Sequence, residues 1–153
     1  MNKIQFNAHS GDHIGSMIIK AFSRGKYSHI SILFGGYVYE AVAKKGVIKT
    51  RAENWDSSTV IDSMFIRTSD ENYMKVLDFL EKQIGKKYDY RGIFSFLFQF
   101  LRPKMGAWYC SELAKVVLYK GIGVASTADE YDQTVSPKTF WRDLTAIKQV
   151  QLS

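Results

Sequence analysis

The chain has 153 residues, 46% of them hydrophobic and 24% charged, ordinary values for one globular domain whose core needs no staples. Disorder, collagen and coiled coil are excluded for the whole chain, and the single cysteine, Cys110, excludes an internal disulfide framework and a multi-cysteine zinc site. The net charge of +6, with a pI near 9.3, can attract phosphates, anionic lipid or an acidic polymer. The cations (Lys44, Lys45, Lys86, Lys87, Lys104) are scattered without a run of five, so no specific nucleic-acid partner is expected.

Residues 1–27 read as a polar entry segment with a short apolar helix at 17–22, after a Gly11-Asp12 turn. The segment lacks the basic-then-apolar order of a signal peptide, and a cytoplasmic product is expected. Two alternating runs, 27–34 and 37–43, flank Gly35-Gly36, the signature of a two-residue hairpin. Further strands are expected at 46–50 and 60–67. Thr68 with Glu71 reads as a capping box for a helix whose stripe is Met74, Leu77, Leu80 and Ile84, ending at Gly85. A second helix is expected at 91–101; this apolar stretch is far shorter than the about 20 residues of a membrane span. A third begins near Cys110 and carries Leu113, Val116 and Val117 to a left-handed stop at Gly121. Residues 147–152 alternate and read as a closing strand. The tally is an α+β domain, an antiparallel sheet packed against helices, spanning 1–153.

The hairpin carries the first chemistry. With Gly35-Gly36 as its loop, Ser31 faces Glu40 and His29 faces Val42, so His29, Ser31 and Glu40 share one face. His29 and Glu40 are then diagonal neighbours with α-carbons on the order of 7–8 Å apart, within reach of a carboxylate–imidazole hydrogen bond. Taken alone, the pair also fits the solvated face of a hairpin. Cys110 stands where a polar stretch turns into an apolar-periodic helix. A helix N-terminus stabilises a thiolate through its dipole and free N–H groups, which also suit an oxyanion. A lone cysteine equally fits a small buried hydrophobe. Together the three side chains supply a nucleophile, a base and an orienter.

Gly11-Asp12, the run Tyr27-Ser28-His29-Ile30-Ser31-Ile32-Leu33, and Tyr39-Glu40-Ala41 with Gly46-Val47 resemble the first half of the circularly permuted papain-like hydrolases. These are the YiiX-like branch of the NlpC-type superfamily, related to lecithin:retinol acyltransferase. Gly85-Lys86-Lys87-Tyr88-Asp89, then Trp108-Tyr109-Cys110-Ser111-Glu112-Leu113 and Ser136-Pro137, resemble the second half. The histidine precedes the cysteine, which is the mark of the permuted group. The resemblance runs from about Gly11 to Phe140. It implies a permuted papain-like fold, Cys110 as nucleophile, His29 as base and Glu40 as the residue that orients the imidazole. It also implies amide bonds of cell-wall peptides, or lipid amides and esters, as substrates, with no metal or organic cofactor required. A non-catalytic binding module on the same fold, or a lipid acyltransferase, are the alternatives.

Tyr88 is placed as a packed tyrosine or an oxyanion donor, and Glu112 as a structural or capping residue. Ser31 is expected to be a small polar neighbour. His9 and His13 are expected in a loop, with a metal site remote. Phe94, Phe96, Phe98 and Phe100 cannot all face one core if helical, which favours an apolar substrate or a membrane surface.

Overall fold

The computed structural model describes residues 2–11, 25–89, 108–124 and 135–152, with side chains of the last helix to residue 148. The stretches 17–22 and 91–101, including all four phenylalanines, and His13 lie outside the described residues. Five antiparallel strands form one sheet: β1 (Asn2–His9), β2 (His29–Phe34), β3 (Tyr37–Val42), β4 (Gly46–Arg51) and β5 (Val60–Thr68), in the order β4-β3-β2-β1-β5. Three helices complete the described α+β fold: α1 (Asp70–Gln83), α2 (Cys110–Ile122) and α3 (Pro137–Leu152). Among the described residues no helix is long and apolar enough to cross a membrane.

The polar start of the chain is not an entry segment. Ile4, Phe6 and Ala8 alternate with Lys3, Gln5, Asn7 and His9, and this period of two makes β1 an inner strand between β2 and β5. Its apolar side joins Ile30, Ile32, Phe34, Tyr39 and Ala41 in a core closed by the helices, including a tilted Phe6–Phe140 ring pair at 5.4 Å.

Other boundaries shift for local reasons. The cap of α1 is Ser69, whose hydroxyl accepts from Asn72 N, while Thr68 donates to Gly121 O and Glu71 pairs with Lys75. The buried stripe of α1 is Val76, Leu80 and Gln83, backed by Tyr73 and Leu77; Met74 and Ile84 are exposed. The left-handed stop of α2 is Gly123, and Gly121 lies inside that helix against Ile4 and Ile66. Residues 147–152 belong to α3 rather than to a strand. Pro137 suits the first turn of a helix, Ser136 caps it by accepting from Thr139 N, and Phe140, Leu144 and Ile147 recur at helical spacing on its packed side.

The Gly35-Gly36 turn is as expected, both residues at positive φ and Phe34 opposite Tyr37. Gly46 (φ +77°) is held more tightly: an added Cβ would stand 2.1 Å from the backbone oxygen of Lys86. A carbonyl already bonded to Val47 N cannot swing aside. Gly46→Ala should therefore lower unfolding stability by about 2–3 kcal/mol, read from urea melts; an unchanged midpoint would show that the β3–β4 turn is free to move.

Candidate active site

Ile32, Leu33 and Phe34 pair with Tyr39, Val38 and Tyr37, so the strand parity keeps His29, Ser31 and Glu40 on one face as expected. His29 Nε2 lies 3.0 Å from Glu40 Oε1. The other carboxylate oxygen, Oε2, accepts from Trp55 Nε1 at 3.1 Å, so both oxygens are held. Glu40 is buried, and the His29 side chain keeps 24% of its exposure.

Cys110 is the first residue of α2 and is buried. The turn before it is fixed on both sides. Tyr109 N donates to Glu112 Oε2 at 3.1 Å, which makes Glu112 a capping residue. Ser111 Oγ donates to Val135 O. Upstream, Trp108 N donates to Lys87 O and Asp89 N to Trp108 O, bridging Tyr88 to Trp108. Tyr88 packs edge-on against the Tyr109 ring at 6.0 Å.

Cys110, at the helix start, acts electrostatically on His29. Burial pulls the His29 imidazole down, but the charge of Cys110 and a hydrogen bond with it, then the bond and charge of Glu40, outweigh burial and hold it up to about 10. His29 is thus an imidazolium at neutral pH. For Glu40, burial acts upward, and the His29 bond and charge, with smaller help from His9 and Trp55, hold the carboxyl below its usual range. Burial foremost, and then the charge of Cys110, push the Tyr109 hydroxyl well up.

His9 is not a loop residue. It ends β1 directly opposite His29, buried, with ring centroids 5.0 Å apart. Its Nε2 lies 2.8 Å from Ser31 Oγ and its Nδ1 2.9 Å from Thr59 Oγ1. Burial first, and then the charge of His29, lower it to about 4, so it is neutral beside a charged partner. The alternation of Ile4, Phe6 and Ala8 was the signal that could have placed it. Trp55 had no comparable signal, because a loop tryptophan reaches Glu40 only through the fold. Ser31 is the small polar neighbour expected of it, fully buried between His9 and Asn7.

The lysines are less scattered in space than in sequence. Val47 N donates to Lys86 O and Gly85 N to Val47 O, each at 2.8 Å. These bonds dock the Lys86-Lys87 segment beside the Lys44-Lys45 turn, all four side chains exposed. Lys87 connects by backbone to Trp108, two residues before Cys110.

His9, His29 and Glu40 each offer one ligand atom within 4.8 Å of the others. The donor set fits a metal ion poorly, because these atoms already have protein partners. Both nitrogens of His9 face hydroxyls, and His29 Nε2 faces Glu40. A metal ligand must offer a free lone pair.

No family model and no curated protein sequence matches the chain. Among solved structures it is similar to the crystal structure of the metalloprotein YiiX of Escherichia coli, a DUF1105 protein. The two share 22% identity with a TM-score of 0.57 over 81% of this chain and 67% of that one. The likeness shows a YiiX-like fold.

Proposed function

We propose that the chain is a permuted papain-like cysteine enzyme, an amidase, peptidase or related acyl hydrolase working through Cys110, His29 and Glu40. The observation that carries this reading is an imidazole bonded to Glu40 and raised by Cys110 at a helix start. An imidazolium beside a thiol favours the thiolate. The Cys110 sulfur attacks the carbonyl carbon of an amide or ester, and the C=O π pair moves onto oxygen. Backbone N–H groups at the start of α2 are suited to that oxyanion. As the tetrahedral centre collapses, His29 passes its proton to the leaving amine or alcohol, and a thioester remains. Neutral His29 then takes a proton from water as the water oxygen attacks, and the carboxylic acid leaves with the thiolate restored. An acyltransferase shares the first half and replaces water with another acceptor. Peptide amides and lipid amides or esters are the substrate classes, and the net charge of +6 favours an acyl donor that carries negative charge.

The test is intact-mass spectrometry after mixing with activated acyl esters. One acyl group on Cys110, released with time, is expected, and Cys110→Ala should show none. Turnover undiminished in Cys110→Ala would sink the thiol reading. The name of the YiiX neighbour as a metalloprotein motivates a parallel metal analysis of the purified protein. A stoichiometric ion lost in His9→Gln would replace the triad with a metal centre.

A further inference from the structure

We infer that His9 is a positioning residue of this site, acting on Glu40 through Trp55; the inference rests on the triad reading above. Four observations converge on it. First, His9 is 4% exposed, yet neither ring nitrogen lacks a partner. Second, the direction of its hydrogen bonds follows from its neighbours. Asn7 Oδ1 accepts from Gln5 Nε2 (2.7 Å) and Ser63 Oγ (2.8 Å), which turns the Asn7 amide nitrogen towards Ser31 Oγ at 3.3 Å. Ser31 accepts there, so its own proton is available for His9 Nε2, and His9 Nδ1 then donates to Thr59 Oγ1. Third, Thr59 closes the loop that carries Trp55, and Ser10 N also binds Thr59 O at 2.9 Å. Fourth, the Trp55 indole stands edge-on to the His9 ring at 5.6 Å while its Nε1 donates to Glu40 Oε2.

His9 therefore pins the loop at one end and packs the indole at the other. A carboxylate held at both oxygens has a fixed plane, and the Oε1 lone pair stays aimed at His29. A carboxylate released at Oε2 turns towards water. An apolar ring of the same size would fill the space of His9 but could not bind Thr59, so packing and anchoring are separable by substitution.

Because the chain has one cysteine, iodoacetamide uptake at pH 6 reports Cys110 alone. His9→Phe and Trp55→Phe should each slow labelling about fivefold to tenfold, the scale of one lost hydrogen bond. Their double variant should be no slower than Trp55→Phe, because the two act in series. His9→Gln, which can both accept from Ser31 and donate to Thr59, should return the rate to within about twofold of the parent. Thr59→Val removes the anchor from an exposed position and should reproduce the slowing even where His9→Phe does not fold; thermal melts report folding in each case. Labelling at the parent rate in Thr59→Val or in a folded His9→Phe overturns the inference, as do multiplied effects in the double variant. These outcomes leave the triad intact where His29→Ala still slows labelling. A His29→Ala protein that labels like the parent removes the triad itself, and the role of His9 with it.

Discussion

His29→Ala is expected to slow acylation of Cys110 by roughly 10²- to 10⁴-fold, the usual contribution of a positioned acid–base group. Burial works against the charge on the imidazole, yet Cys110 and Glu40 together hold His29 protonated up to about 10, so across neutral pH a cation lies beside the sulfur. Between pH 6 and pH 8, where His29 stays charged, acylation by an activated ester should then depend less on pH in the parent than in His29→Ala. In His29→Ala it should climb with pH, as for an unassisted thiol titrating near about 8.5. Glu40→Gln keeps the shape and the bond from Trp55 while losing the charge. It should fall between the two, retaining more activity than Cys110→Ala and melting close to the parent. Identical pH profiles in the parent and His29→Ala would show that the imidazole does not act on the sulfur.

The second large effect is on stability in acid. In the unfolded chain His9 takes up a proton near its ordinary value of 6.5, whereas in the fold burial and the charge of His29 lower this to about 4. Between those values the unfolded state binds more protons, so folding stability falls as the pH falls. The contribution is intact above 6.5 and is lost progressively down to about 4. A gap of about 2.5 pH units corresponds to a loss of about 3 kcal/mol. His29 acts in the opposite sense, since its raised value lends stability that is complete below 6.5 and is lost as the pH rises towards 10. Carboxylates held low, Glu40 among them, lose their contributions mainly below about 4.5, near their ordinary values. Among the described residues, the interval from 6.5 to 4.5 therefore belongs mainly to His9. Urea melts in that interval should lose most of their pH slope in His9→Gln, and an undiminished slope would place the acid sensitivity elsewhere.

How far the site was legible can be followed residue by residue. The hairpin could be solved from six residues, because two glycines at positive φ leave one register and the strand period of two then puts His29 and Glu40 on the same side. Cys110 could be placed at a helix start from Leu113, Val116 and Val117, and Glu112 could be given its capping role from its spacing alone. His9 was hidden by its surroundings. Asn7 and Gln5 beside it look like the polar side of a loop, and only pairing with both β2 and β5 turns that stretch into an inner strand with a buried polar side. Residues 147–152 show the converse, since six residues cannot separate alternation from a helical stripe that also includes Phe140 and Leu144.

By itself, then, the sequence determined the α+β class and the hairpin register, because turns, periods and caps act over a few neighbouring residues, while the roles of Cys110, His29 and Glu40 were implied by the resemblance. The tertiary structure decided the rest. It joined Trp55 to the free oxygen of Glu40, set neutral His9 beside charged His29, and docked Lys86-Lys87 against the Lys44-Lys45 turn. Each of those meetings joins separate elements of the chain, and depends on strand order and on which groups lose contact with water, quantities that no local pattern of residues encodes.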